Sequence, residues 1–146
     1  MADTRIPDGV QAFSWLTLSL FERLYESFPE KHDIRSLRFV IETVVNHGQE
    51  SDQTKWVRHL GASFSWLESE GFISVDGRGA GGDYLGVILT LKGSTALGYA
   101  RDSMRLGWRG PMIKRIKSIT RLGVSGASSK AAEVLLGKIF ALAQGQ

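Results

Sequence analysis

Leu67-Glu68-Ser69-Glu70-Gly71-Phe72-Ile73 and, after a glycine-rich interval, Leu89-Thr90-Leu91-Lys92-Gly93-Ser94-Thr95-Ala96-Leu97 mark the two places where the periodicity of this chain changes. Before the first stretch, Val57, Leu60, Phe64 and Leu67 recur at helical spacing, which predicts a helix over 53–70 with those residues inward. Gly71 ends it, because glycine reaches a left-handed backbone conformation at no steric cost. Residues 71–75 then read as a strand whose Phe72 and Ile73 anchor on the core. Residues 76–83, with glycines at 77, 79, 81 and 82, are expected to hold no regular structure and to form a mobile hairpin loop. Residues 84–91 supply the return strand, and Ser94 or Thr95 is the expected cap of a short helix through Ala96, Leu97 and Ala100.

Working upstream, residues 33–47 read as a helix with Asp33 as N-cap and Ile34, Leu37, Ile41, Val44 and Val45 inward, stopped by His47-Gly48. Ser51 or Asp52 is then available to cap the helix that follows. The first helix covers 10–28 and ends at Pro29. Its two apolar stripes, Phe13, Leu16, Leu20, Leu24, Phe28 and Trp15, Leu18, Phe21, Tyr25, require cover on two sides. Either its own domain wraps it, or one stripe is a dimer seam or a dock for the C-terminal part. Trp66 lies on one helix face with Lys55, His59 and Ala62, so it is expected to pack under the C-terminal part or against a partner.

Downstream, Pro111 suits a first helical turn, and Ile113, Ile116, Ile119 and Leu122 share a face ringed by Lys114, Arg115, Lys117 and Arg121. A small-residue linker at about 123–129 precedes a last helix over 130–143, with Val134, Leu135, Ile139 and Leu142 in register. These elements imply a domain over 1–100 and a basic helical tail over 101–146.

The paired motifs resemble those of winged-helix regulators of the multiple-antibiotic-resistance and phenolic-acid-decarboxylase regulator types. These carry Leu-Glu-x-x-Gly-Leu-Ile at the end of the recognition helix and Leu-Thr-x-x-Gly-x-x-x-Leu after the wing. The resemblance covers about 51–99. A short helix with a Leu-Ala pair, usual before the recognition helix, is replaced here by the longer 33–47 segment. The resemblance implies a mainly α fold with a small β-hairpin: a winged helix-turn-helix with a C-terminal helical extension.

That fold implies a function in binding double-stranded DNA, as a transcriptional regulator. In a helix-turn-helix the early residues of the recognition helix reach base edges, here Gln53, Thr54, Lys55, Arg58 and His59. Arg78, at the expected loop tip, is where a wing sends a cation toward DNA. Gly77-Arg78-Gly79-Ala80-Gly81-Gly82 also satisfies the dinucleotide fingerprint formally, but that fingerprint requires a strand entering a helix, and this loop is expected to join two strands.

Charge is uneven. The chain carries +3, yet residues 101–146 hold nine Lys or Arg and two acids, so the first hundred residues are net acidic. Arg101, Arg105 and Arg109, with Trp108 interleaved, extend the basic helix. Lys114, Arg115, Lys117 and Arg121 have three competing uses: phosphate contacts, adsorption to an anionic membrane, or packing on the acidic N-terminal part. The alternative function is accordingly a non-enzymatic interaction module whose tail binds an acidic partner or an anionic membrane surface. A homodimer through helix one and the last helix is a further expectation.

Several classes are excluded. The absence of cysteine removes disulfides, thiolate zinc sites and cysteine nucleophiles. His32, His47 and His59 lack metal-ligand spacing, no Gly-x-Ser-x-Gly elbow occurs, and Glu68 with Glu70 reads as a solvated helix end. No enzyme, cofactor or metal is expected. No apolar run reaches the roughly 20 residues that cross a bilayer. Residues 1–11 lack the apolar core of a leader, so a cytoplasmic protein is expected.

Overall fold

The computed structural model describes residues 9–44, 53–97 and 111–144. The order is α1 (Gly9–Ser27), β1 (His32–Ile34), α2 (Ser36–Thr43), α3 (Gln53–Ser69), β2 (Ile73–Ser74), β3 (Gly77–Arg78), a 3-10 turn (Ala80–Gly82), β4 (Tyr84–Leu89) and α4 (Leu91–Ala96). Then come α5 (Pro111–Thr120) and α6 (Gly126–Gln144). The chain is mainly α with a small antiparallel sheet, as the sequence implies. The expected stop at His47-Gly48, the cap at Ser51 or Asp52, and Val45, Ala100, Arg101, Arg105, Trp108 and Arg109 lie outside the described residues. Among the described residues, no helix is long and apolar enough to cross a membrane.

The 33–47 expectation needs correction. Its first residues form β1, and α2 begins only at Ser36. Asp33 caps no helix: its carboxylate accepts from the Gly86 N–H at 2.9 Å, and Ile34 is buried against the sheet. Leu37, expected inward, is 52% exposed, and Phe39 and Val40 fill the core instead. A strand of three residues has too few positions to show a period of two, so the helical period that follows it masks it.

Strand β4 is central. On one edge β1 pairs with it at His32↔Val87 and Ile34↔Tyr84, with an irregularity between them. On the other, β2 (Ile73↔Leu89, Ser74↔Ile88) and β3 (Gly77↔Leu85, Arg78↔Tyr84) share one register. The glycine-rich segment therefore holds regular structure after all. Between β2 and β3 the Asp76 carboxylate sits against Gly86 (φ +62°), where a Cβ would lie 2.3 Å from its oxygen. Only glycine fits that bend.

The two motifs interlock. Phe72 N–H bonds to Leu67 C=O at 2.9 Å and Gly71 N–H (φ +84°) to Glu68 C=O at 3.1 Å, the paired bonds of a left-handed helix stop. Thr90, rather than Ser94 or Thr95, caps α4. Its Oγ1 accepts from Gly93 N–H at 3.1 Å and donates to Gly71 C=O at 2.5 Å, while its N–H bonds to Phe72 C=O at 3.1 Å. One threonine thus satisfies a helix start, a helix stop and a strand end. No periodicity argument could find this, because the stop and the cap belong to segments nineteen residues apart.

The C-terminal helices belong to the same core. Ile113, Ile116, Val124, Ala132, Leu135, Leu136 and Ile139 are buried in one cluster with Trp15, Leu16, Leu20 and Phe21 of α1. Helix α1 is packed by α3, α5 and α6 of its own chain. Phe140 of α6 meets Trp66 at 5.3 Å, Phe72 at 5.0 Å and Phe21 at 6.5 Å, so Trp66 does pack under the C-terminal part. Helix α6 begins at Gly126 and not after 129, because Ser125 Oγ accepts from Ser128 N–H at 3.1 Å and so acts as an N-cap. Leu122 is 74% exposed, since α5 ends at Thr120.

Candidate nucleic-acid interface

Helix α3 buries Trp56, Leu60, Ser63, Phe64 and Leu67. Opposite them, at helical spacing, Thr54, Arg58 and Ser65 form an outer ridge, all exposed. Lys55 and His59 are half-buried on one flank with Ala62 and Trp66. That flank adjoins the start of α1, where Val10, Phe13, His59 and Trp66 line a shallow apolar groove. Gln53 departs from expectation. It is exposed, yet it is in line with the inward positions Val57, Leu60 and Phe64, so its exposure comes from its place at the helix start.

The other flank of the ridge is closed by the hairpin. Tyr84 stacks on Phe64 with centroids 3.7 Å apart and planes within 1°. The Tyr84 hydroxyl lies 3.4 Å from where a Cβ on Gly61 would be. A glycine in a helix interior costs about 1 kcal/mol against alanine, and here it makes room for that hydroxyl. Arg78 is not at the loop tip, as the sequence suggested, but in β3 directly across from Tyr84. Cross-strand partners share a sheet face, and the Arg78 guanidinium lies 4.6 Å from the Tyr84 ring centroid.

The true tip, 79–83, is tied down. Gly79 N–H bonds to Asp83 C=O at 2.9 Å. Asp83 accepts from Ser36 N–H at 3.0 Å and Ser36 Oγ donates to Gly82 C=O at 2.8 Å. Lys31 pairs with Asp76 at 2.9 Å, and Arg35 stands 3.7 Å from Asp83. Residues 77–82 are strand β3 and the turn that leads it into β4, so the dinucleotide reading has no α-helix N-terminus to receive a pyrophosphate.

Burial holds the His59 imidazole below its ordinary pKa, and Lys55 and Arg58 lower it further. Tyr84 is raised by burial, lowered by Arg78 and raised again by Glu68, with burial dominant, so its hydroxyl stays protonated at neutral pH. The depressed His59 has a stability consequence. Below its unfolded value of 6.5 the unfolded chain takes up this proton more readily than the folded one. Stability at this site is therefore present above that pH and is lost as pH falls toward the folded value. His59→Gln is expected to flatten the melting temperature between about pH 7 and pH 5.5. An unchanged pH dependence in the variant would exclude the effect.

The basic helix divides. Lys117 pairs with Glu26, and Thr120 Oγ1 donates to Glu22 at 2.7 Å, so this side of α5 rests on acids of α1. Lys114, Arg115 and Arg121 are exposed. Arg121 borders a cleft of about 570 Å³ between α1, α2 and α5, with Glu22, Glu42, His32 and Trp15 on its other walls. The structure thus places Thr54 and Arg58 on the outer ridge of α3, Lys55 and His59 on one flank of it, Arg78 on the hairpin at the other flank, and Lys117 in an ion pair with Glu26. Sequence reasoning missed Tyr84 and Gly61, although a glycine in the middle of an amphipathic helix was a signal of close approach.

Compared with protein-family models, with curated proteins and with solved structures, the chain matches none.

Proposed function

We propose that residues 9–97 are a winged helix that binds duplex DNA through the first half of α3 and the β3–β4 hairpin, in the manner of a transcriptional regulator. The observation that carries the reading is that Arg58 stands on an exposed ridge of α3 whose one flank is closed by a structured hairpin carrying the exposed Arg78. The element order supports it as well. A strand before the helix pair, joined to the far strand of a hairpin that follows the second helix, is the arrangement that places one helix in a major groove and a wing beside it.

The apolar side of α5 is occupied by the chain's own core, and Glu22 and Glu26 engage Thr120 and Lys117. This favours packing as the main use of the basic helix over membrane adsorption, which requires a free apolar face. Lys114 and Arg115 remain for outlying phosphates. Because α1 is sheathed within the chain, a homodimer would use the outer face of α6, where Lys130, Val134 and Lys138 are exposed.

The test is fluorescence anisotropy of a labelled random duplex titrated with the full chain at two salt concentrations. Affinity is expected to fall steeply with salt. Arg58→Ala and Arg78→Ala should each weaken binding by about tenfold and lower the logarithmic salt slope by about one. Undiminished binding in both variants would remove this surface from consideration.

A further inference from the structure

Tyr84 is bracketed by two different contacts. One face of its ring lies flat on Phe64 of α3, and the Arg78 guanidinium is 4.6 Å from its centroid. The hydroxyl abuts Gly61 on the α3 surface, one turn beyond Arg58. The hairpin cation is thereby fixed relative to the helix ridge and not merely near it. We infer that Tyr84 is a positioning residue for duplex binding: it seats Arg78 beside the Arg58 ridge so that both cations grip the phosphate backbone at the edge of one groove. This rests on the DNA-binding reading above.

The physical basis is the cost of ordering. An exposed arginine samples many rotamers, and a contact that freezes it on binding loses part of its worth to entropy. A guanidinium held over an aromatic face has fewer rotamers to lose. Its N–H groups point outward in its own plane, where they can donate to a phosphate in the forked geometry that arginine favours. Phe64 is fully buried, so the platform beneath Tyr84 is itself immobile. The Ser36–Asp83 and Lys31–Asp76 ties hold the rest of the hairpin in place, leaving the arginine's seat as the part set by a single side chain.

The experiment is a double-mutant cycle on the full chain, read by duplex anisotropy at low salt, with thermal melting of each protein. Tyr84→Leu is expected to weaken binding by about fivefold with Arg78 present and by less than about twofold in the Arg78→Ala background. Tyr84→Phe, which keeps the ring, is expected to recover the binding that Tyr84→Leu loses. A merely structural role would weaken binding equally in both backgrounds, and that result overturns the inference while leaving the DNA-binding reading intact. Absence of duplex binding by the wild-type chain overturns both. Should Tyr84→Leu fail to fold, the Arg78 side-chain proton resonances of the wild-type chain decide the matter. An upfield ring-current shift that persists in Tyr84→Phe supports the seat, and random-coil shifts overturn it.

Discussion

A chain ending at residue 110 is expected to lose cooperative folding altogether, although a charge map alone would make that a natural place to cut. Seven buried side chains of the common core lie beyond it: Ile113, Ile116, Val124, Ala132, Leu135, Leu136 and Ile139. They cover α1, which buries eleven of its nineteen residues. Truncating even one of them, Ile139→Ala, should cost about 2–5 kcal/mol, a large part of the roughly 5–15 kcal/mol that separates folded from unfolded domains. Removing all seven also leaves Trp66 and Phe72 without Phe140. The expected observations are a broad thermal transition, strong binding of an apolar dye, and lost near-ultraviolet circular dichroism. A sharp melt within about 5 °C of the full chain would show that 1–110 is a self-sufficient domain. The experiment also bears on function, since duplex binding lost on truncation reports unfolding and not the loss of phosphate contacts. Substitution of Lys114 and Arg115, which are exposed and outside the core, is the cleaner probe of the basic helix.

The parts of this fold legible in the sequence are those whose causes are local. Helix α3 announces itself by an inward stripe of Val57, Leu60, Phe64 and Leu67, and Gly71 by the chemistry of helix stops, and both stand where expected. The parts that escaped depend on partners distant in the chain. Strand β1 exists because β4 offers it an edge about fifty residues later, and nothing in His32-Asp33-Ile34 itself distinguishes a strand from a helix start. The glycine-rich segment reads as irregular until the Gly77↔Leu85 and Arg78↔Tyr84 pairs are known. The basic charge of the C-terminal part was visible, but the fit of its apolar side to the stripes of α1 was not, so a core element looked like an appendage. The candidate interface follows the same division. Arg58 and Lys55 are legible from helical spacing, whereas the seat of Arg78 follows from strand register, and Tyr84 carried no signal of its own.

Two glycine-to-alanine substitutions, both inside helices, are expected to move stability in opposite directions, because helix propensity favours both and only packing tells them apart. In α4, a Cβ on Gly93 would fall 2.2 Å from the Phe72 carbonyl oxygen and 3.2 Å from Leu89 Cδ2. That oxygen is not free to retreat: it accepts from Thr90 N–H at 3.1 Å, and the Thr90 hydroxyl holds the adjacent Gly71 carbonyl. Relief requires separating α4 from the end of β2, which breaks the joint between the two motifs. The expected cost is about 3 kcal/mol, or about 10 °C in melting temperature for a chain of this size. In α6, a Cβ on Gly137 meets nothing within 4 Å. Gly137→Ala should therefore raise stability by about 0.5–1 kcal/mol through helix propensity and a less disordered unfolded chain. Thermal melts of the two variants beside the wild type decide the question. A Gly93→Ala protein as stable as the wild type would mean that the Thr90 joint is loose, and with it the rigid link from α3 through the hairpin on which the placement of Arg78 depends.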